Sequence, residues 1–318
     1  MTAVLVSVII PTYNYGRFIG EAINSVCKQE IEDLEIIVVD DLSTDNTMQV
    51  LASIGDARVK VVSMRERAGG PGPVRNEGLN LARGQFITFL DADDRWCPHK
   101  LEHQLAIMES EPDIGAVFTN FLRFNDDGVF PQSWFEFMPE LLSTPSVPTG
   151  SGIGRRIVGD PFTQFIAMSQ FPTFVQTLMF RTCIVKDLRF PADKRMSDDL
   201  DFCMRAYQRG GVAYIPEPLV EVRRHGDNLS WDLKKLERDV AETLFALEDR
   251  IALDNPEHRS ALRRRIGKAW IDTGRLSISE GSPGAAICCL LKGLCYPGSR
   301  LQALKNLAAF PYLWLWRD

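Results

Sequence analysis

Three aspartates directly after a short apolar run are the residues of this sequence best placed for chemistry. The run Gln85–Leu90 has the β-branched and aromatic content of a buried strand, and Asp91, Asp93 and Asp94 follow it. Carboxylates this close repel one another unless a positive group lies among them, and oxygen ligands suit Mg2+ or Mn2+. The pattern therefore indicates a divalent cation site. A second interpretation stays open, in which Asp93 or Asp94 is the N-cap of a helix over Trp96–Met108.

Further polar residues follow the other apolar runs of the N-terminal half. Val4–Ile10 is predicted to be a strand buried on both faces, and Glu35–Val39, Arg58–Ser63 and Phe86–Leu90 are predicted strands that alternate with helices. This alternation predicts an α/β fold with a doubly wound, mostly parallel sheet. Ligands of such sheets bind at the carboxyl ends of the strands. That edge is predicted to carry Thr12, Asn14, Asp40, Asp41 and Asp91.

The alternation of predicted strands and helices is less regular in the segment that follows. Ile114–Phe124 and Phe174–Phe180 are predicted to be strands. Between them, Pro131–Pro172 is rich in Pro, Gly, Ser and aromatic residues and is too long for an ordinary connection. We expect this segment to be either a mobile lid or a substrate-specific insertion.

Three acids stand at the start of a helix that is predicted after the strand Phe174–Phe180. They are Asp198, Asp199 and Asp201, and acids at a helix N-terminus are stabilised by the helix dipole. Two short predicted strands then lead to the polar segment Arg223–Ser230, which contains His225.

Six segments, in this order and at compatible spacing, resemble the motifs of the family 2 glycosyltransferases of the GT-A fold. They are Ser7–Asn14 (SVIIPTYN), Ile36–Asp45 (IIVVDDLSTD), Val74–Leu79 (VRNEGL), Phe89–Asp94 (FLDADD), Asp198–Asp199 and Arg223–Ser230 (RRHGDNLS). Three positions depart from the family pattern, the first being Val74, where Ala is usual. Leu42 stands where Gly or Asn is commoner, and Asp198 replaces the usual Glu. The resemblance covers about Val6–Ser230 and implies a nucleotide-sugar donor, most commonly a UDP-sugar.

The resemblance also implies which residues bind the donor and a Mn2+ or Mg2+ ion. It assigns the metal to Asp93, with Asp91 and His225 as further ligands, because a cation neutralises the charge that develops on a departing diphosphate. Asp91 reaches either the ribose or the metal. The implied donor-binding residues are Pro11, Thr12, Tyr13, Asn14, Asp41, Arg75, Asp91 and His225.

Structural roles compete with these assignments at three positions. Asp41 is implied to accept a hydrogen bond from the base, and the alternative is a helix cap. Arg75 is implied to meet the base or a phosphate, and the alternative is a surface cation. His225 is implied to donate to the diphosphate or to bind the metal, and the alternative is a turn histidine with satisfied hydrogen bonds.

Asp199 is the implied general base. An acceptor hydroxyl must lose its proton as the anomeric carbon reacts, and a carboxylate opposite the leaving group is the usual base in inverting sugar chemistry. Asp199 aligns with the base of the family, and inversion follows from the same resemblance. Asp198 and Asp201 are then interpreted as residues that stabilise the helix start.

Composition limits the partners and the compartment. The net charge of −6 argues against nucleic acid as the main partner. The seven cysteines show no zinc-ligand spacing and are expected to be reduced thiols. The N-terminus has no basic segment before its apolar run, and no apolar stretch reaches the length of a membrane span, so we expect a cytoplasmic protein.

The C-terminal region is predicted to be helical and is basic. Residues 259–318 contain ten Lys and Arg against three Asp and Glu. Predicted helices cover Arg259–Asp272, a helix pair within Gly274–Gly293, and Ser299–Ala309, and the chain ends in Trp and Tyr residues. One interpretation is peripheral contact with the inner face of the cell membrane through residues 299–318. The other is a helical cap on the catalytic domain or on a second subunit.

These observations predict a GT-A catalytic domain over residues 1–230 and a helical region over 231–318. Nucleotide-sugar binding is expected in about 1–125 and acceptor binding in about 126–230. The predicted activity is an inverting, metal-dependent transfer of a sugar to a glycan or lipid-linked acceptor in cell-surface polysaccharide or glycoconjugate synthesis. A nucleotidyltransferase and a non-catalytic nucleotide-sugar binding protein are the alternatives. A nucleotidyltransferase usually has a glycine-rich phosphate loop, which Pro11–Asn14 is not.

Overall fold

The structure is a computed structural model that describes residues 4–194, 196–226, 233–251 and 255–315, without the side chains of 233–234 and 310–315. The chain divides into two compact units. The first comprises Met1–Pro161 and Met168–Asn228, and the second comprises Phe162–Ala167 and Leu229–Asp318. The assignment of donor and acceptor binding to separate parts of the first unit stays a prediction.

The N-terminal half of the first unit is a parallel sheet with helices between its strands. β1 (Val6–Thr12) pairs in parallel with β2 (Leu34–Asp40) and with β4 (Phe86–Phe89), and β2 pairs in parallel with β3 (Val59–Ser63). β1, β2 and β4 are buried along their whole length, as expected of strands covered on both faces. The elements are β1 (Val6–Thr12), α1 (Ile19–Cys27), β2 (Leu34–Asp40), α2 (Thr47–Ala52), β3 (Val59–Ser63), α3 (Pro71–Leu81) and β4 (Phe86–Phe89).

The second half of this unit extends the same sheet. Its strands are β5 (Arg95–Trp96), β6 (Ile114–Asn125), β7 (Gly128–Ser133), β8 (Ser146–Pro148), β9 (Arg155–Ile157), β10 (Leu178–Arg181) and β11 (Gly211–Arg223). Its helices are α4 (Lys100–Ser110), α5 (Pro139–Leu142), α7 (Thr182–Val185) and α8 (Asp198–Tyr207), with 3-10 turns at Trp134–Phe137 and Val175–Thr177. The helix α6 (Pro161–Ala167) lies in the second unit from Phe162 onward.

The predicted α/β class with a doubly wound sheet is confirmed, and the sheet is mixed. Among the described residues the strand order is β3-β2-β1-β4-β10-β6-β11-β9-β8, with β5 paired to β11 and β7 to β6. β10 runs antiparallel to both of its neighbours, whereas β6 and β11 are parallel. The segment Pro131–Pro172, for which we expected either a mobile lid or a substrate-specific insertion, contains β8 and β9, which widen the sheet beside β11.

The expected helix over Trp96–Met108 starts later than predicted. Trp96 belongs to β5 instead, because it pairs with Val220 and its indole N–H donates to the carbonyl of Gln176 at 3.1 Å. The helix α4 begins at Lys100, and its N-cap is His99, which has a φ of 64°. The interpretation of Asp93 or Asp94 as an N-cap is therefore wrong.

The second unit is helical, as predicted for the C-terminal region. Besides α6 it contains α9 (Leu233–Arg250), α10 (Pro256–Ser279), α11 (Pro283–Leu294) and α12 (Arg300–Leu315). The predicted break near Gly274 is wrong, because α10 continues through it. A Cβ at Gly274 would lie 2.9 Å from Cγ of Leu290, so this glycine allows the close approach of α11. In the described part of the chain no helix has both the length and the apolar character needed to cross a membrane.

Candidate active site

Asp93 and His225 face each other beside the ends of β4 and β11. The Nε2 of His225 lies 3.0 Å from Oδ2 of Asp93, and little of either side chain is exposed. The ring of Phe18 packs 5.1 Å from the imidazole, and Nη2 of Arg17 lies 3.5 Å from its Nδ1. Two of the predicted metal ligands are thus in contact. No group of three or more His, Cys, Asp or Glu side chains placed to hold a metal occurs among the described residues.

Arg223 joins these two strand ends and was not singled out from the sequence. Its backbone N–H donates to Oδ1 of Asp94 at 2.8 Å, and its Nε donates to the carbonyl of Asp93 at 2.9 Å. Its guanidinium also pairs with Glu21 and lies 4.2 Å from the ring centroid of Phe124. Burial and the charges of Asp93 and Asp91 raise the pKa of Asp94 well above its usual value. Sequence patterns do not reveal these contacts because they span about half of the chain.

Arg75 bridges two of the candidate acids. Its Nη2 donates to Oδ1 of Asp91 at 2.7 Å, and its Nη1 donates to Oδ2 of Asp198 at 2.8 Å. The guanidinium is buried, and despite that burial the two carboxylates raise its pKa. Arg75 is therefore not a surface cation. It fixes the start of α8 to the end of β4, and a contact of Arg75 with a base or phosphate stays a prediction.

Asp199 differs in its surroundings from the two acids beside it. Asp198 pairs with Arg75, and Asp201 accepts a hydrogen bond from Nε of Arg205 at 2.8 Å. The carboxylate of Asp199 accepts from the backbone N–H of Leu200 at 2.8 Å. Burial, followed by the charge of Asp198, raises the pKa of Asp199 to about 8. A carboxyl group with such a pKa takes up and releases protons near neutral pH.

Asp41 is held in a loop and does not cap a helix. Its Oδ1 accepts from the backbone N–H of Ala68 at 2.7 Å, and its Oδ2 accepts from Nη1 of Arg67 at 2.8 Å. The cap of α2 lies elsewhere, at Asn46. Arg67 in turn stacks on Tyr13, with its guanidinium carbon 3.1 Å from the ring centroid. The face of Tyr13 beside Asp41 is thus occupied by Arg67, a residue that the sequence patterns did not indicate.

The remaining residues of the first motif shape this loop region. Oδ1 of Asn14 accepts from the backbone N–H of Thr44 at 2.7 Å, and Asn14 has a φ of 56°. Pro11 and Thr12 are buried at the end of β1, where the hydroxyl of Thr12 has no hydrogen-bond partner among the described residues. Leu42 has a φ of 61°, which explains why Gly or Asn would suit this position better.

Comparison with known proteins identifies the class of protein to which this chain belongs, the glycosyltransferases. The model of the glycosyl transferase family 2 matches residues 7–169, about half of the chain. The chain therefore belongs to glycosyl transferase family 2, as its six motifs predicted.

Relatives in sequence include two bacterial glycosyltransferases. The chain is 32% identical over 233 residues to the poly(ribitol-phosphate) beta-N-acetylglucosaminyltransferase TarS of Staphylococcus aureus, covering 70% of this chain and 36% of that protein. It is 38% identical over 125 residues to the UDP-Glc:alpha-D-GlcNAc-diphosphoundecaprenol beta-1,3-glucosyltransferase WfgD of Escherichia coli, covering 39% of this chain and 49% of that protein. The chain thus spans about a third of the length of TarS.

Solved structures show the same fold. Residues 1–349 of S. aureus TarS in complex with UDP-GlcNAc match with a TM-score of 0.69 at 22% identity, covering 97% of this chain and 86% of that one. The mannosyltransferase PcManGT of Pyrobaculum calidifontis, in complex with GDP-Man and Mn2+, matches with a TM-score of 0.52 at 21% identity, covering 98% and 87%. The predicted GT-A fold is thereby confirmed.

Proposed function

We propose that this protein transfers a sugar from a nucleoside diphosphate sugar, namely a UDP-sugar, to a hydroxyl group of a glycan or lipid-linked acceptor. The transfer inverts the anomeric carbon, needs a divalent metal and serves cell-surface polysaccharide or glycoconjugate synthesis. The observation that carries the proposal is the bridge from Asp91 through Arg75 to Asp198. The bridge joins the start of the helix that carries Asp199 to the strand end that carries Asp93, which supports a single site for the proposed base and the proposed metal ligand.

The residues around Asp93 fit a divalent metal. Mg2+ and similar ions are commonly held by one or two protein ligands together with phosphate oxygens of a substrate, and Asp93 with His225 supplies such a pair. When bound, the metal neutralises charge on the departing diphosphate. Asp91 has one oxygen bound to Arg75, so we assign it to the edge of the donor site, where its other oxygen faces either the ribose or the metal.

Tyr13 and Asp41 are the proposed walls of the base pocket. An aromatic ring stacks on a planar base, and a carboxylate accepts a hydrogen bond from a base N–H. Arg67 lies between the ring and the carboxylate in this structure. Donor binding therefore requires Arg67 to move or to share the pocket with the base.

Asp199 is the proposed general base. Of the three acids at the start of α8 it is the one whose carboxylate bonds only to its own helix backbone in the described contacts, so it is the one best able to accept a proton from an acceptor hydroxyl. A raised pKa favours this task at neutral or slightly alkaline pH.

The acceptor is proposed to lie on the side of Asp199 formed by residues 126–230. Sulfur Sγ of Cys203, one helical turn after Asp199, lies 3.7 Å from the carbonyl oxygen of Thr173. Phe174 follows and packs on Trp134 with ring centroids 5.3 Å apart. Such aromatic rings are suited to pack against the apolar faces of a sugar.

The alternative functions leave part of this arrangement unused. A nucleotidyltransferase needs no base at the position of Asp199, and a binding protein needs neither the base nor a metal. The nucleotidyltransferase alternative predicts that substitution of Asp199 leaves the activity unchanged, and the binding-protein alternative predicts no transfer activity in the wild type.

We further propose that the protein is cytoplasmic and contacts the inner face of the cell membrane through α12. Leu301 and Leu304 of this helix are exposed, whereas Ala303 is buried within the helical unit. Arg300 lines a cavity of about 600 Å³ together with Arg259 and Arg263, which suits an anionic surface. The Trp and Tyr side chains near the end of residues 299–318 lie outside the described residues. The alternative interpretation of this region is a helical cap.

Screening nucleotide sugars for thermal stabilisation tests the function. UDP-sugars and GDP-sugars are added with Mn2+, with Mg2+ or with a chelator. We expect stabilisation by one donor class, with metal, and release of nucleoside diphosphate from that donor. Asp93→Ala should remove the metal-dependent part of the stabilisation. Asp126→Ala, in the exposed turn before β7, is the control and should keep it. Full activity in excess chelator contradicts the metal dependence.

A further inference from the structure

An exposed aromatic surface with one arginine lies on the acceptor side of the first unit. Its members are Arg123, Phe130, Trp134, Phe137 and Phe174, which we call the aromatic–arginine surface. Phe130 and Phe137 are 40% and 38% exposed, and the other three are partly buried. Large apolar side chains exposed side by side commonly mark a binding surface.

Arg123 is held by the rings around it. Its guanidinium carbon lies 5.1 Å from the ring centroid of Phe137, 5.6 Å from that of Trp134 and 5.8 Å from that of Phe130. Within the described part of the chain no carboxylate lies within ion-pair distance of Arg123, in contrast to Arg75 and Arg223. A guanidinium stacked on rings keeps its N–H edge for a partner outside the protein.

This surface is continuous with both halves of the proposed active site. On one side, Phe174 follows Thr173, whose carbonyl contacts Cys203 one helical turn from Asp199. On the other side, Arg123 lies opposite Val222 in the parallel β6–β11 pair, three residues before His225. Contacts within the chain thus lead from this surface toward the helix that carries the proposed base and toward the strand end that carries His225.

We infer that the aromatic–arginine surface binds the acceptor, and that this acceptor is a glycan carrying an anionic group, a phosphate or a carboxylate. The sugar rings pack on Trp134 and Phe137, and the anionic group pairs with Arg123. This inference rests on the proposed function and names the class of its acceptor.

Binding of three trisaccharides to the full chain in saturating UDP, measured by calorimetry, tests the inference. UDP fills the donor site, so the remaining binding reports the acceptor site. The probes are maltotriose, maltotriose bearing a 6-phosphate, and trigalacturonate. We expect at least one anionic probe to bind about tenfold or more tightly than maltotriose, as a charge-assisted pair would give. Preference for the phosphate or for the carboxylate assigns the anionic group.

Variants separate the two parts of the surface. Arg123→Gln should remove the preference for anionic probes and leave maltotriose binding unchanged. Phe137→Ala should weaken the binding of every probe that binds. Arg65→Gln is the matched control, because Arg65 is exposed in the loop after β3, and it should keep the preference.

Three results overturn the inference. They are equal binding of all three probes to the wild type, no binding of any probe, and a preference for anionic probes that survives Arg123→Gln. If UDP binds and any of these results is found, the acceptor inference fails and the proposed function stands. If UDP does not bind to the wild type, the proposed function fails as well.

Discussion

The guanidinium of Arg67 lies 3.1 Å from the ring centroid of Tyr13 and pairs with Asp41 at 2.8 Å. A flat, hydrogen-bonding group thus occupies the face of Tyr13 that the proposed function gives to the nucleobase. A base and this guanidinium cannot both stack on that face.

Arg67→Ala is therefore expected to tighten the binding of UDP. The base no longer has to displace a stacking contact and the ion pair between the exposed Arg67 and the buried Asp41, which together correspond to about three- to thirtyfold in affinity. Titration calorimetry with UDP measures the change, and Arg65→Ala, two residues away and exposed, is the control. Weaker UDP binding in Arg67→Ala would instead show that Arg67 contacts the base directly.

Asp199→Asn should lower the rate of sugar transfer by roughly 10²- to 10⁴-fold, because the amide keeps the size of the side chain but cannot accept a proton. UDP affinity should stay close to that of the wild type. Steady-state rates with the donor identified by thermal screening provide the measurement. Asp198→Asn is the comparison, since it removes one of the two carboxylates that pair with Arg75 and should lower stability as well as rate. A nearly wild-type rate in Asp199→Asn with a large loss in Asp198→Asn would assign the base to Asp198.

The pH dependence of transfer should reflect Asp199. Burial and the charge of Asp198 raise its pKa to about 8, so the rate should fall as the pH drops below about 8. The free energy of unfolding changes with pH in the opposite direction to the rate. A carboxyl whose pKa is raised by folding stabilises the protein fully below its unfolded pKa and loses that contribution as the pH rises through about 8. The Tm of Asp199→Asn relative to the wild type should thus increase between pH 5 and pH 9. A constant difference in Tm would contradict the raised pKa.

Lys100 provides a second test of how burial shifts a pKa and thereby the stability. Its side chain is fully buried, its Nζ donates to Oε1 of Gln104 at 2.8 Å, and burial lowers its pKa well below the usual value. The unfolded chain then binds more protons, so this residue costs stability at neutral pH, and the cost disappears as the pH rises toward 10.5. The Tm of Lys100→Met relative to the wild type should fall between pH 7 and pH 10. Lys60→Met, on the surface, should show no such trend beyond the loss of its pair with Glu35.

Membrane contact through α12 predicts salt-sensitive binding to anionic vesicles. Leu301→Asp with Leu304→Asp should lower that binding tenfold or more, because each exposed leucine contributes about 1 kcal/mol or more when it enters the interface. Sedimentation with vesicles measures the bound fraction. Leu142→Asp changes an equally exposed leucine in the first unit and should leave the binding unchanged. Equal sedimentation of all variants would support the helical cap.

Local patterns in the sequence were sufficient for the strands β1 to β4 and β6, for most of the helices and for the family, but not for the strands β5 and β7 to β9. The residue types of runs such as Glu35–Val39 are enough to predict a buried strand. Motifs such as Phe89–Asp94 combine a strand with the polar residues at its end. The misplaced boundaries have a tertiary cause. Trp96 is in a strand because β11 pairs with it, and α10 continues through Gly274 because Leu290 packs there.

The partners of the candidate site residues were decided by the tertiary structure alone. The sequence indicated Asp93, Asp199, Arg75 and His225, yet it did not show that His225 meets Asp93 or that Arg75 joins Asp91 to Asp198. Periodicity reports which face of an element is buried, whereas these contacts join residues far apart in the chain. The sequence shows which side chains can be charged. The raised pKa of Asp199, however, follows from its burial and from the charge of Asp198, and this burial exists only in the folded chain.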